Sequence, residues 1–387
     1  MIDFNYEISK IKEKGLYRSF RYLESAQDSK TFIDGKKVIL LASNNYLGLC
    51  NNEILKKSAI EAINKYGVGS GGSRLTTGSY VLHKELEKEI AKFKGTEDAI
   101  LFNTGYMANI GTIASIVDSD WVIFCDRLNH ASIIDGCRLS NAKLVIYKHC
   151  DVNDLMNKIK KYNREKSILI TESIFSMDGD IAPLDKIVEL TKKNNILTMV
   201  DEAHSTGIIG NKGKGVVDYF NLSEKIDIQV GTFSKALASE GGFVVGENSL
   251  IEYLKQKARS FIYSTALSPQ TIAVSLAALR YLNENSYLIE NLISKTIWFR
   301  DKLKSFGFNI IDGITPIIPI IVGDTVKTVD FSEKLLNEGI YIPAIRPPTV
   351  PKGTSRLRIS LMESHTKEDL ESSLNLIRKI GKKINII

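Results

Sequence analysis

Apolar positions along the chain follow two rhythms. Between about residues 50 and 275, short unbroken apolar runs alternate with longer stretches of helical spacing. The runs are Ala99-Ile-Leu-Phe, Trp121-Val-Ile-Phe-Cys, Lys143-Leu-Val-Ile-Tyr, Ser167-Ile-Leu-Ile-Thr, Ile196-Leu-Thr-Met-Val, Ile226-Asp-Ile-Gln-Val and Gly242-Phe-Val-Val-Gly. A strand with apolar residues at successive positions is buried on both faces, so this pattern predicts a largely parallel sheet covered by helices. Ahead of it, Ile8, Ile11 and Leu16 at helical spacing predict an amphipathic helix, and Ile33-Asp-Gly-Lys predicts a hairpin turn. From about residue 280 the pattern predicts a long helix. Strands follow near Pro316-Ile-Ile-Pro-Ile-Ile-Val and Arg356-Leu-Arg-Ile-Ser-Leu, and a last helix opens at Thr366 with Asp369 in its first turn. The fold class is therefore α/β. The expected division is an N-terminal helix and hairpin over 1–45, a large unit over 46–278 and a smaller α+β unit over 279–387.

Composition narrows the functional classes. The chain has 387 residues, 43% hydrophobic and 25% charged, ordinary for a globular protein. No apolar run is long enough to span a bilayer, and no basic segment leads into an apolar one at the N-terminus, so the expected location is the cytoplasm, with no membrane partner. Cys50, Cys125, Cys137 and Cys150 form no C-x-x-C pair and no zinc spacing with the five histidines, which reads as reduced thiols. The net charge of +6 is spread along solvated helix faces, and no nucleic-acid-binding signature is present. A mild positive excess suits an anionic substrate or an acidic carrier protein.

Chemistry is concentrated where predicted strands end. Ile196 to Val200 runs into Asp201-Glu-Ala-His204, Ile226 to Val230 into Gly231-Thr-Phe-Ser-Lys235, and Ser167 to Thr171 into Glu172-Ser-Ile-Phe-Ser176. Open α/β sheets bind ligands at the carboxyl ends of their strands. An amine, a carboxylate, an imidazole and hydroxyls are thus expected along one edge. Pyridoxal 5'-phosphate (PLP) needs that set: a lysine for its aldehyde, a carboxylate to keep its ring nitrogen protonated, and N–H groups or hydroxyls for its phosphate. Lys235 suits the first, Asp201 the second, and Gly105-Tyr106, between a strand and a helical stretch, the third. Singly these residues are weak signals. Lys235 alone reads as a surface lysine or half of a Ser-Lys hydrolase pair. Asp201-x-x-His204 could be half of a metal site, though no further ligands accompany it, and His130 could simply start a helix. Gly67-Val-Gly-Ser-Gly-Gly72 matches G-x-G-x-x-G, but it follows a helical stretch and not a strand, which speaks against a dinucleotide site. No phosphate-binding G-x-x-x-x-G-K-[ST] is present.

Six segments carry a resemblance to a known family: Ser43-Asn-Asn-Tyr-Leu-Gly-Leu, Gly69-Ser-Gly-Gly-Ser-Arg-Leu-Thr-Thr-Gly, Asn129-His-Ala-Ser-Ile-Ile-Asp-Gly, Phe175-Ser-Met-Asp-Gly-Asp, Asp201-Glu-Ala-His-Ser-Thr-Gly and Gly231-Thr-Phe-Ser-Lys-Ala. Over nearly its whole length the chain resembles the α-oxoamine synthases, fold-type I PLP enzymes that join an amino acid to an acyl thioester with loss of CO2. Ala344-Ile-Arg-Pro-Pro-Thr-Val-Pro-Lys-Gly-Thr-Ser-Arg-Leu-Arg looks most like the members that condense L-alanine with a pimeloyl thioester, on coenzyme A or an acyl carrier protein. The alternative is the member acting on glycine and acetyl-coenzyme A. The resemblance implies that Lys235 carries the cofactor as a Schiff base and that His130 stacks on its ring. It places Asp201 at the ring nitrogen, His204 at the phenolic oxygen and Ser176 beside the ring, with Gly105, Tyr106 and Thr232 also holding the cofactor. It puts Arg18, Thr349 and Arg356 near the substrate, together with His130. It sends Ser264 and Thr265 to the phosphate of a second subunit, in a homodimer with shared sites. Arg356 and Arg358 are read as alternating about Leu357, so that at most one faces the site, Arg356 being the choice. Two residues depart from the family pattern: Ala238 stands where glycine is usual, and Glu363 where a small residue is.

Overall fold

The computed structural model describes residues 2–14 and 16–387. The first helix, α1 (Phe4–Glu13), is capped by Asp3, whose carboxylate accepts the N–H groups of Asn5 and Tyr6. It ends at Glu13 and buries no residue, so Leu16 lies beyond it, contrary to the spacing argument. The hairpin forms as expected. Strand β1 (Lys30–Ile33) pairs antiparallel with β2 (Lys36–Leu40), and Asp34 and Gly35 between them both have positive φ, 50° and 70°. That is the backbone a two-residue Asp-Gly turn requires.

All seven predicted runs become strands: β3 (Asp98–Phe102), β4 (Val122–Asp126), β5 (Lys143–Tyr147), β6 (Ser167–Glu172), β7 (Leu197–Asp201), β8 (Ile228–Thr232) and β9 (Gly242–Gly246). They form one sheet in the order β3-β9-β8-β7-β6-β4-β5. The pairs from β8 to β5 are parallel, and β9 runs antiparallel to both neighbours. Its two faces are both packed. Ile123, Cys125, Ile168, Ile170 and Met199 belong to one hydrophobic cluster, and Val122, Phe124, Leu169 and Val200 to the other. Neighbouring residues of one strand thus enter opposite layers, which is why the runs are apolar at every position. Helices α2 (Glu53–Tyr66), α3 (Val81–Lys94), α4 (Gly105–Ile116) and α5 (Ala131–Leu139) belong to this part of the chain.

Two small sheets lie outside it. In one, β10 (Ile317–Gly323) and β13 (Ser355–Ser360) pair antiparallel, with β12 (Ala344–Ile345) on the other side of β13. In the other, β11 (Ile340–Tyr341) adds in parallel to β2, so the N-terminal hairpin is built into the C-terminal part of the chain. The closing helix, Lys367–Lys383, starts as read, with the Thr366 hydroxyl accepting the Asp369 N–H at 3.2 Å. No helix is long and apolar enough to cross a membrane among the described residues.

One buried ion pair fixes the edge of the sheet that matters most. Lys94, the last residue of α3, pairs with Glu202, and both side chains are almost fully buried. The Lys94 ammonium also donates to the Lys214 carbonyl, while Glu202 accepts the Ser205 hydroxyl and the Val217 N–H, each at 3.0 Å. Removing one partner of such a pair strands the other charge away from water. Lys94→Met is therefore expected to destabilise the protein by about 3–5 kcal/mol, read as a lower urea midpoint. Lys94→Met with Glu202→Gln, which keeps a group able to accept the Val217 N–H, should recover part of the loss. A single variant with the parental midpoint would contradict this account.

Candidate active site

Strands β6, β7 and β8 end side by side, and the register sets Glu172 opposite Asp201. Asp201 is buried and meets an N–H donor at each oxygen: Asn109 Nδ2 at 2.7 Å on Oδ2 and the Ala203 N–H at 2.8 Å on Oδ1. Asn109 lies one turn into α4 and also donates to Ser132 Oγ at 2.9 Å, which ties α4 to the start of α5. Burial, and then the charge of Asp201, hold the Glu172 carboxyl well above the usual range. Glu172 accepts the His130 N–H at Oε1.

Lys235 follows β8 on a tight loop. Thr232 Oγ1 donates to the Gly241 carbonyl, the Phe233 N–H donates to the same oxygen at 3.0 Å, and the Ala238 N–H donates to the Lys235 carbonyl. Burial lowers the Lys235 ammonium pKa, against the opposing pull of Asp201 and Glu172. His204 is buried, and burial followed by the Lys235 charge pushes its imidazole well below the usual range, so it is neutral. Its Nδ1 is in hydrogen-bond contact with the Tyr46 hydroxyl at 2.9 Å. His130 caps α5 through Nδ1, which accepts the Ser132 N–H, and its pKa is lowered, chiefly by burial.

These groups line one cavity of about 200 Å³, together with Thr104, Gly105, Tyr106, Thr232 and Ser234. Its floor includes the N-terminus of α4, where Thr104 caps the helix by accepting the Met107 N–H. The N–H groups of Gly105 and Tyr106 have no acceptor within the helix and suit an anion. Gly242 allows this approach, because a Cβ there would lie 2.5 Å from the Thr104 carbonyl oxygen. The amine, carboxylate, imidazoles and helix terminus give each polar part of PLP a counterpart, so the donor set fits that cofactor. A wider hollow of about 860 Å³ shares Lys235, His130 and His204 with the inner cavity. Asn44, Ser176, Met177, Thr349 and Arg358 border it.

The structure thus brings Lys235, Asp201, His130, His204, Gly105, Tyr106 and Thr232 into one cavity, with Ser176 and Thr349 in the adjoining hollow. Four other expected residues lie elsewhere, Arg356 among them. Arg18 donates to Thr349 Oγ1 at 3.2 Å from a second hollow of about 390 Å³, which it borders with Arg346 and which shares Pro343, Ile345 and Thr349 with the first. Ser264 and Thr265 surround Asn103, whose Nδ2 donates to the Thr265 carbonyl at 2.6 Å, and line neither the cavity nor its hollow.

The reading of Arg356 and Arg358 needs correction. Residues two apart on a strand project to the same face, and both side chains reach the loop after β6. Arg356 is taken by Asp178, Nη1 to Oδ1 at 2.6 Å, and lines neither space. Arg358 borders the hollow, with Nε donating to the Ser176 carbonyl at 2.6 Å and Nη2 to Asn44 Oδ1 at 3.1 Å.

Sequence reasoning gave no role to Glu172, Asn109 or Tyr46. The position of Asn109, four residues after Gly105 on a predicted helix, was the usable signal for that residue. Both departures from the family pattern have a structural counterpart. Ala238 sits at φ 51°, the left-handed backbone that favours glycine, and Glu363 pairs with Lys295 at 3.4 Å.

Comparison with known proteins agrees with this geometry. The family model described as aminotransferase class I and II matches residues 36–377. The 8-amino-7-oxononanoate synthase of Lysinibacillus sphaericus is 48% identical over 385 residues, covering 99% of each chain. That of Thermoanaerobacter pseudethanolicus is 47% identical over 390 residues, covering 100% of this chain and 98% of its own. A solved structure of SPT with a PLP internal aldimine superposes with a TM-score of 0.95 at 33% identity, covering 99% of this chain and 98% of that one. The chain belongs to the class I and II aminotransferase family and, within it, to the α-oxoamine synthases.

Proposed function

We propose that this chain is a PLP-dependent acyltransferase that condenses L-alanine with a pimeloyl thioester, releasing CO2 and the free thiol and giving 8-amino-7-oxononanoate. The observation that carries the reading is the meeting of Lys235 with Asp201, doubly held by N–H donors, in a cavity that opens into a larger hollow. Full-length similarity to 8-amino-7-oxononanoate synthases supports the choice of substrates.

Bound in the cavity, PLP supplies an electron sink for negative charge at the amino-acid α-carbon. The residues would divide the remaining work. Asp201, oriented by Asn109, holds a proton at the ring nitrogen. The first N–H groups of α4 and the Thr232 hydroxyl hold the phosphate. His130 covers the ring, and Ser176 lies beside it. Lys235 would hold the cofactor aldehyde and would serve as the base for the α-proton, and its lowered pKa suits a neutral amine. Neutral His204, fixed by Tyr46, faces the phenolic oxygen. Arg358 is our choice for the alanine carboxylate, and Arg18 and Thr349 for the acyl donor. Either coenzyme A or an acyl carrier protein would carry the thiol. Ser264 and Thr265, away from their own cavity, are consistent with a homodimer in which each would reach the other subunit's phosphate. Our proposed division is at about residues 45 and 278; the seven-stranded sheet between them and the two small sheets outside support it, while the helix Pro269–Glu284 runs across the second boundary.

Assay of both substrate pairs tests the function. Alanine with pimeloyl-coenzyme A should release thiol faster than glycine with acetyl-coenzyme A, and the reverse preference would select the alternative. Lys235→Ala should abolish the borohydride-sensitive visible absorbance and lower turnover on the order of 10³-fold. Arg358→Met removes hydrogen bonds to a charged group, so KM for alanine should rise about 10- to 100-fold with KM for the thioester nearly unchanged. Equal changes in both would count against the assignment. The lowered Lys235 pKa also fixes a sign. Only the neutral amine attacks an aldehyde, so cofactor capture by the cofactor-free chain should quicken as pH rises, with a midpoint below the ordinary lysine value of 10.5. A midpoint at or above that value would contradict the burial argument.

A further inference from the structure

A cationic clamp outside both spaces bears on the reaction. His149 follows β5, and both of its ring nitrogens meet carboxylates: Nδ1 lies 3.0 Å from Asp126 Oδ1 and Nε2 lies 2.8 Å from Asp180 Oδ2. An imidazole with an acceptor at each nitrogen must donate from both, which makes it an imidazolium. Burial alone would push its pKa down, but the hydrogen bonds to Asp126 and Asp180 outweigh burial and raise it to about 12. Asp126, Cys150 and His149 have the spacing of a metal cluster. With both imidazole nitrogens engaged as donors, a proton holds the place a metal would need.

The two carboxylates differ in what they anchor. Asp126 ends β4 and is a fixed post, since its oxygens also accept the Leu128 and Cys150 N–H groups at 2.8 and 2.9 Å. Asp180 closes the loop 175–180. Its carbonyl accepts the Phe175 N–H at 3.1 Å, and the Gly179 N–H donates to the Phe175 carbonyl at 2.8 Å. The His149 ring also stands edge-on to Phe175, with centroids 4.4 Å apart. From the opposite side, the same loop receives Arg358 at the Ser176 carbonyl, Arg356 at Asp178, and the Thr315 hydroxyl at the Gly179 carbonyl at 2.6 Å.

We propose that His149 is a positioning residue: held as a cation between Asp126 and Asp180, it fixes the 175–180 loop against the large sheet and so aims Arg358 at the amino-acid substrate. This rests on the reading of the cavity as a PLP site that takes alanine. Without the cation, two carboxylates face each other across its place and repel. The loop then loses its tie to β4, and Arg358 loses the fixed carbonyl that orients its guanidinium.

The test uses the full-length, cofactor-loaded protein as His149→Gln and as His149→Gln with Asp180→Asn, which removes the surplus negative charge. The readouts are borohydride-sensitive absorbance, the alanine Kd from titration of that absorbance, and KM for each substrate. His149→Gln should keep the absorbance while the alanine Kd and KM rise about 10- to 100-fold and KM for the thioester holds. The double variant should recover most of the loss. A cofactor-loaded His149→Gln chain with the parental alanine Kd overturns the proposal. So does a loss that falls equally on both substrates and that the double variant does not restore, because a residue that only fills space behaves that way. A parent chain without the absorbance would instead fail the PLP reading, a result separable from either.

Discussion

A buried carboxylate is stable only where N–H donors replace the water it has lost, and the cavity is arranged around that requirement at Asp201. Asn109 and the Ala203 N–H meet one oxygen each. The neighbouring carboxyl of Glu172 is held well above its usual range by burial and then by the charge of Asp201. The adjacent acid obeys the same constraint on the other side of the backbone. Glu202 turns away from the cavity toward Lys94, and its carboxylate leaves no room for a side chain at residue 215: a Cβ on Gly215 would lie 2.4 Å from Glu202 Oε1. Two successive acids at one strand end therefore have opposite uses. One is satisfied by neutral donors and left open to a ligand, the other is neutralised outright and locks the scaffold.

Much of this was legible in the sequence because it follows from local rules. The seven strands are continuous apolar runs, the Asp34-Gly35 turn has the residues its positive φ values need, and the reactive side chains stand where those runs stop. What was not legible depends on partners far along the chain. Arg358 bonds to Ser176 across 182 residues, and Arg356 to Asp178 across 178. Nothing local separates the two arginines, and strand parity puts them on one face, yet Arg358 borders the hollow and Arg356 does not. Glu172 is similar. Its raised pKa comes from burial and from the register that sets it beside Asp201, relations between strands and not a property of its own segment. The clamp at His149 joins Asp126 and Asp180, 23 and 31 residues away, and no spacing rule names it.

Ala238 shows how tightly the backbone near Lys235 is held. A non-glycine residue in the left-handed region costs about 1–2 kcal/mol, and this one lies three residues from the reactive amine at φ 51°. It is kept there by closure on both sides: its N–H donates to the Lys235 carbonyl, and the Ser239 N–H donates to the Phe233 carbonyl at 2.9 Å. The loop geometry is set by these bonds and by Thr232 with Gly241, so the conformation survives where the family's usual glycine is missing.

The site divides its work between two sheets. The large sheet contributes the amine, the buried carboxylate and the helix N-terminus, all of which would serve the cofactor in the proposed reading. The small sheet contributes charge, through β13, at the place where the amino acid would lie. Catalysis of a condensation needs both sets in one geometry, since an α-proton is removed only if the Cα–H bond is held near Lys235 by a carboxylate anchored elsewhere. Two rigid sheets do not guarantee that alignment, because their relative placement is free unless something binds both. The 175–180 loop does so, with Asp180 tied to the large sheet through His149 and with Ser176 and Asp178 tied to the arginines of β13. Its backbone is short and internally closed, so a displacement at one end is passed to the other and not absorbed. In the proposed reading, the geometry of substrate binding would thereby be set by a segment that need contribute no reactive group of its own.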